Sequence, residues 1–387
     1  MASELTYKTV AEYFAGIGLV RYGLEKSGWN VVFANDISEE KKTLYDGHFA
    51  DPDSHFVCDD IHKIDVSKIP TVTLATASFP CTDLSLAGMR KGLSGKQSSA
   101  YWGFIRILEE LGPRKPKLVM LENVVGFMTS KGGKDFQSAL LALNNLGYEV
   151  DAIIIDAARF VPQSRVRLFV IGSLPNKPNY ELVRESPAFY EGPLRPKALA
   201  EFIFTHPEIA WHIRETPEPP KNADKSLKDI IEQVPDDSSI WWNEKRTEYL
   251  LSQMSIKHSS ILKDFIGLKK WSYGTAFRRV RNGKSQAELR TDGVAGCLRT
   301  PKGGSAKQIL IKAGFNQVKV RLLTARECAR LMGADEFSLK EVALDKALFG
   351  FGDAVCVPVI TWIADNYLNP LALELARKES LKKRGMT

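Results

Sequence analysis

Short apolar stretches alternate with amphipathic helical ones through the first 172 residues, the pattern of a parallel sheet covered by helices. Val10–Phe14, Asn30–Ala34, Val72–Ala77, Leu118–Glu122, Val150–Asp156 and Arg167–Gly172 read as strands. Between them, Leu19–Ser27, Tyr101–Leu111 and Lys134–Leu146 carry apolar residues at helical spacing, and Gly28, Gly112 and Gly147 stand where helix ends belong. The fold class is α/β, doubly wound. From Leu174 the texture changes to Pro175, Pro178, Pro187, Pro193 and Pro196, then Pro217, Pro219 and Pro220, which marks linkers and irregular structure. Three parts follow: a first domain over 1–178, a second and smaller one over 179–320, and a return segment over 321–387 that completes the first. In that last part Val355–Tyr367 reads as a buried strand or turn leading into a helix.

Composition bounds the class. With 44% hydrophobic residues in 387, the chain supports a large core, which excludes disorder and repeats of the collagen kind. Cys58, Cys81, Cys297, Cys328 and Cys356 are odd in number and include no Cys-x-x-Cys pair, so neither a disulfide framework nor a zinc site is indicated. His48, His55 and His62 recur every seven residues but span a predicted helix end and a loop, so no metal is expected. A reducing, cytoplasmic setting fits best. No stretch reaches the roughly 20 apolar residues that cross a bilayer, so no membrane partner is expected. The net charge of +7 is unevenly placed. Leu268–Val320 holds twelve Lys and Arg against Glu288 and Asp292, a local +10, interleaved with Trp271, Tyr273 and Phe277. Such a segment suits a phosphate backbone, and a solvated surface is the alternative.

Four motifs stand at predicted strand ends. The first strand runs into Phe14-Ala15-Gly16-Ile17-Gly18-Leu19, whose glycines let the backbone turn tightly at the edge where open α/β sheets bind cofactors; a purely structural turn is the alternative. The second ends at Asp36, placed to accept from a ribose diol or to cap a helix. A dehydrogenase would offer both features. The third leads to Phe79-Pro80-Cys81, and a cysteine after proline at that edge is exposed and fixed in direction, as a nucleophile must be; a small buried hydrophobe is the alternative. The fourth supplies Glu122, a carboxyl that burial would protonate beside a bound base. Then Gln163-Ser164-Arg165-Val166-Arg167 puts two arginines on one face, suited to an anionic or carbonyl-bearing substrate, or to pairing with Glu122 or Asp156.

In sequence and spacing this series resembles the DNA (cytosine-5)-methyltransferase family. The resemblance continues through Arg321-Leu322-Leu323-Thr324-Ala325-Arg326-Glu327, Arg330-Leu331-Met332-Gly333 and Gly352-Asp353-Ala354-Val355. It implies an S-adenosylmethionine-dependent, Rossmann-like catalytic domain and an irregular target-recognition domain of variable sequence. It implies that Cys81 adds to C6 of a flipped-out cytosine in duplex DNA while Glu122 holds N3 and the exocyclic amine. Arg165 and Arg167 would contact O2 and the nearby backbone. Phe14, Gly16, Ile17 and Gly18 would surround the methionine part of S-adenosylmethionine, Asp36 its ribose, and Ile37, Asp60 and Ile61 its adenine. Phe79, Pro80, Asp353 and Ala354 would line the same pocket, and S-adenosylhomocysteine would leave it. Ser85, Arg90 and Lys91, on a glycine-rich loop, and Gln163, Arg278, Arg279 and Arg281 would meet DNA. Three positions depart from the family pattern: Leu19 for glycine, Asp36 for glutamate, and Asp353-Ala354 for Asn-Ser. The layout is that of a monomeric bacterial modification enzyme, its partner endonuclease acting separately.

Three rivals predict something else. A tRNA methyltransferase on the same fold needs only a short recognition region, whereas about 148 residues lie between Gly172 and Arg321. A DNA-binding protein without activity would not need Cys81, Glu122, Arg165 and Arg167 together. A dehydrogenase leaves the Pro-Cys and Gln-x-Arg-x-Arg elements unexplained.

Overall fold

The computed structural model describes residues 7–49, 55–80, 99–175, 186–281, 283–300, 307–340 and 342–383. Cys81, Ser85, Arg90 and Lys91 lie outside the described residues. Seven strands, β1 (Thr9–Tyr13), β2 (Asn30–Asp36), β3 (Phe56–Cys58), β4 (Leu74–Ala77), β5 (Leu118–Val124), β6 (Glu149–Asp156) and β7 (Val166–Ser173), form one sheet in the order β3-β2-β1-β4-β5-β7-β6. Strands β1 to β5 pair in parallel, and β7 lies antiparallel between β5 and β6. The chain runs outward from β1 through β2 to β3, then returns to place β4 on the other side of β1. The carboxyl ends of β1 and β4 therefore flank the topological switch point, the crevice where open α/β sheets bind ligands.

Helices cover both faces: α1 (Leu19–Glu25), α2 (Glu39–Asp46), α3 (Ser99–Leu111), α4 (Lys134–Asn145) and α5 (Lys197–Thr205). One core joins Leu24 and Tyr45 to Met332, Phe351 and Ile360 from the end of the chain; the other joins Phe104, Leu108 and Leu140 to Leu199 and Trp211. Two elements escape the sequence pattern. β3 is only three residues long, and α2 buries little besides Leu44 and Tyr45, so neither offers enough apolar periodicity to be read.

After α6 (Leu227–Ile230), helices α7 (Glu244–Ser252) and α8 (Ile256–Gly267) cover one face of an antiparallel sheet of β8 (Ser272–Arg281), β9 (Lys284–Arg290), β10 (Ile309–Gly314) and β11 (Gln317–Leu322), ordered β11-β10-β8-β9. Its core holds Leu250, Leu262, Ala276, Leu289, Ile311 and Val320. By core membership this unit is narrower than 179–320, and it is regular rather than irregular. Leu199 and Trp211 pack on the large sheet, and Leu227, Ile230, Ala295 and Leu298 join the core that α1 shares. Proline-rich connections disguised that attachment.

The return segment forms α9 (Ala325–Leu331), α10 (Leu344–Asp353), α11 (Val357–Ile363) and α12 (Asn369–Lys383). The run from Val355 is the turn leading into a helix that was expected, and not a strand: residues 355–356 are non-helical, Pro358 sits in the first turn of α11, a π-helical stretch, Ala364–Leu368, follows, and α11 packs on α1. A continuous apolar run does not distinguish buried helix from buried strand. Leu344–Arg377 also meets the length and composition of a membrane-crossing helix, contrary to the expectation from the sequence, but 67% of its apolar window is buried inside the fold.

Candidate active site

β1 ends in a turn that only a special backbone permits. Gly16 and Gly18 adopt φ of 59° and 81°, and a Cβ on Gly18 would stand 2.4 Å from the Phe49 ring. Phe14 shares the left-handed region at φ 58°. Leu19 begins α1, where backbone φ is negative and a side chain costs nothing, and it is buried in the core. Asp36 braces this turn: Oδ2 accepts from the Gly16 N–H and Oδ1 from the Ser38 N–H, both at 2.9 Å. The helix cap after β2 is Ser38, which accepts from the Lys41 N–H. Next to it Ile37 is 71% exposed, an apolar side chain with nothing packed over it at the sheet edge. Asp60 accepts from the His62 N–H. Ile61, expected at an adenine, is buried in the core against Gly103 of α3, so its side chain offers no free face.

Beneath the turn the sheet carries unsatisfied polar groups, which sequence reading missed. Glu12 on β1 and Thr76 on β4 are register partners. Both are buried, and neither Glu12 carboxyl oxygen nor Thr76 Oγ1 has a full hydrogen bond. Burial pushes the Glu12 carboxyl up to about 8, against the pull of Arg21. Buried polar groups without partners call for an explanation, and at a switch point a bound ligand is one. A glutamate in a strand of small and apolar residues was the available signal.

One strand further, Glu122 of β5 is buried and faces Arg167, whose Nε lies 2.9 Å from Glu122 Oε1. Burial pushes the Glu122 carboxyl above its ordinary range, while Arg167, Arg165 and Ser78 hold it down. Ser78 stands at the end of β4, two residues before Pro80. The Phe79 ring is buried between Tyr101 and Phe127, and its carbonyl accepts from Asn123 Nδ2 at 3.3 Å, which ties the ends of β4 and β5 together. Pro80 is exposed.

The arginines divide their work. Arg165 donates to the Leu298 carbonyl at 2.9 Å, to Cys297 Sγ at 3.3 Å, to the Gly352 carbonyl at 3.2 Å and to the Ala354 carbonyl. At 3% exposure it clamps the segments near 298 and 353 to the large sheet and has no reach to a DNA backbone. Its companion Gln163 is fully buried, donating to the Leu331 carbonyl at 2.7 Å and accepting from the Leu298 N–H at 2.9 Å. The motif expected to meet the target thus also ties three chain segments together. Asp353 joins in, paired to Lys41 of α2 at 3.0 Å and hydrogen-bonded to Thr300.

A second cysteine enters the site unannounced. Cys297 lies 4.0 Å from an Arg167 terminal nitrogen as well as against Arg165. Burial raises its thiol most, yet Arg165, Arg167 and Arg299 together hold it below its ordinary value. Among the described residues no three His, Cys, Asp or Glu side chains converge as metal ligands. His55 instead meets Arg21 and Tyr45, and His48 stacks on Phe337.

Five of the twelve cations of the basic segment, Arg278, Arg279, Arg281, Lys284 and Arg290, lie on the hairpin of β8 and β9. Arg278 faces the side that carries the small unit's core, near Trp242. Arg279 and Arg281 point to the other side, where Arg281 pairs with Glu288 at 2.8 Å.

A family model described as C-5 cytosine-specific DNA methylase matches residues 8–369. The chain is 26% identical over 362 residues to the type II methyltransferase M.Bsp6I of Bacillus sp. (strain RFL6), covering 92% of this chain and 97% of that protein. It is 24% identical over 366 residues to the type II methyltransferase M.HhaI of Haemophilus parahaemolyticus, covering 94% and 95%. Among solved structures, the Dnmt2 methyltransferase of S. pombe superposes with a TM-score of 0.60 at 19% identity, over 95% of this chain and 99% of that one, a likeness of fold.

Proposed function

We propose, on the premise that this chain belongs to the C-5 cytosine-specific DNA methylase family and is a DNA (cytosine-5) methyltransferase, that it works through a covalent adduct on a flipped-out base. C5 of cytosine is too weak a nucleophile to attack a methyl sulfonium directly. The Cys81 thiolate adds to C6, Glu122 gives its proton to N3, and the electron pair gathers at C5. When bound, S-adenosylmethionine supplies the electrophilic methyl group. Loss of the C5 proton then expels the Cys81 thiolate, and N3 returns its proton to Glu122, which restores the ring and the acid. The observation that carries this reading is the buried Glu122 with Arg167 2.9 Å away, a carboxyl kept protonatable by burial and aimed by a cation that can also meet O2. Because C6 lies within the base stack, the nucleotide must leave the duplex, at a cost of about a few kcal/mol offset by pocket contacts.

S-adenosylmethionine fits the residues at the switch point. The turn of Phe14, Gly16, Ile17 and Gly18 lets a ligand approach backbone, Asp36 has lone pairs left for a ribose, Ile37 gives an exposed apolar face, and Glu12 and Thr76 offer buried acceptors beneath. Asp60 and Pro80 stand at the same edge. Asp353 and Ala354 belong to this reading too, held by Lys41 and Arg165. Ser85, Arg90 and Lys91 belong to the DNA-contacting loop of this reading, and Arg278 and Arg281 support the recognition hairpin. The similarity to type II methyltransferases supports a bacterial modification role, as a cytoplasmic monomer with a separate endonuclease.

Tritiated methyl transfer tests the chemistry. Duplex DNA should be labelled and tRNA should not, and Cys81→Ala should abolish transfer. Substantial transfer by that variant would overturn the adduct. Bisulfite sequencing of DNA from cells expressing the protein reads the modified base and its sequence context together.

A further inference from the structure

Four arginines crowd the β8–β9 hairpin, and alternation along the strands sorts them. Arg278 faces the side of Ala276 and Ala287 and lies near Trp242, with its Nε buried. The opposite side carries Thr275, Phe277, Arg279 and Arg281 on β8 and Lys284, Gln286, Glu288 and Arg290 on β9, with Lys284 at the hairpin's end. On that side Arg281 is neutralised by Glu288, and Arg290 by Asp292 at 2.7 Å. Arg279 is exposed, lies over the Phe277 ring at 5.3 Å, has no carboxylate partner among the described residues, and sits directly across from Gln286.

This side also faces the chemistry. Thr275 Oγ1 accepts from the Gly296 N–H at 3.3 Å, and the next residue, Cys297, touches Arg165 and Arg167. Four residues of strand separate Thr275 from Arg279, about 13 Å at the rise of an extended chain. A two-stranded ribbon fits the major groove, where an arginine fork matches N7 and O6 of guanine and a glutamine amide matches N6 and N7 of adenine.

We infer that the cross-strand pair Arg279 and Gln286 reads bases in the major groove, Arg279 a guanine and Gln286 an adenine, within about five base pairs of the methylated cytosine. Arg278 props the ribbon from behind and Arg281 is held by Glu288, so neither reads sequence. The inference rests on the proposed function, and its test separates the two. Bisulfite sequencing of plasmid DNA from cells expressing the wild-type chain first gives the consensus; absence of any methylated cytosine defeats the proposed function and this inference with it. If a consensus exists, it should contain a guanine that Arg279→Lys relaxes by ~tenfold or more. That variant keeps the charge, so the salt dependence of DNA affinity should stay as in the wild type. Gln286→Ala should relax a different position, an adenine. A consensus unchanged in both variants overturns the inference. So does an Arg279→Ala variant that weakens binding equally on all sequences while Arg279→Lys restores it, because that is a phosphate contact.

Discussion

Arg167 Nε stands 2.9 Å from Glu122 Oε1, with both side chains drawn out of solvent at the edge of β5 and β7. The pair opposes two influences on one proton: burial raises the Glu122 carboxyl and Arg167 lowers it. Glu122 must be protonated to activate the base, so methyl transfer should decline as pH rises through the raised pKa. Removing Arg167 leaves burial less opposed, which moves that decline to higher pH, while the loss of aim lowers the rate by ~100-fold. Glu122→Gln should be slow and lack the decline. Single-turnover rates against pH for the three proteins decide this; an Arg167→Ala decline at lower pH than the wild type would contradict it.

Arg165 should matter in another way. It satisfies the carbonyls of Leu298, Gly352 and Ala354 from inside the core. Truncating it strands these acceptors out of water, so Arg165→Ala should lose on the order of 3 kcal/mol or more of stability. Urea unfolding measures this. Arg167→Ala, whose partner can simply take up a proton, should lose much less, and equal losses would show that the two arginines are not divided between structure and chemistry.

These two arginines also mark how far the sequence could be read. Strand ends, glycine turns and the helices with strong periodicity were legible because local pattern decides them. The fate of Arg165 was not, because its partners lie 133 and 189 residues further along the chain. The partners of Gln163 are as remote, 135 and 168 residues along the chain. Residues 197–231 read as part of the second domain because proline-rich connections hide the apolar face that docks Leu199 and Leu227 on the large unit. Parity along β8, by contrast, needs only the register of one hairpin, which is why the structure could sort arginines that the sequence merely counted.

Glu12 should make stability fall with pH. Its carboxyl rises from 4.5 to about 8 on folding, chiefly through burial. Between those values the folded chain holds a proton that the unfolded chain releases. The contribution is therefore complete below the unfolded pKa and is lost as pH rises through the folded one. Glu12→Gln is neutral throughout and should remove this slope, gaining up to about a few kcal/mol relative to the wild type near the upper end. Urea midpoints across the range test it, and parallel curves would refute it.

Cys297 should be the most reactive described thiol. Cys328 and Cys356 are buried, and burial raises both, Cys356 up to about 12. Cys58 is the fair comparison, since it is partly exposed like Cys297, but burial and the neighbouring Glu39 raise it to about 11. Among the described thiols Cys297 alone is held below its ordinary value, by Arg165, Arg167 and Arg299, and a thiolate is what alkylating agents attack. In a Cys81→Ala background, iodoacetamide at neutral pH should label Cys297 at least ~tenfold faster than Cys58, read by peptide mass spectrometry. Arg167→Ala should slow that labelling, because it removes one of the three charges that stabilise the thiolate. Faster labelling of Cys58 would mean that the arginines do not govern this thiol, and with it would go the electrostatic account of the whole Glu122–Arg167–Cys297 cluster.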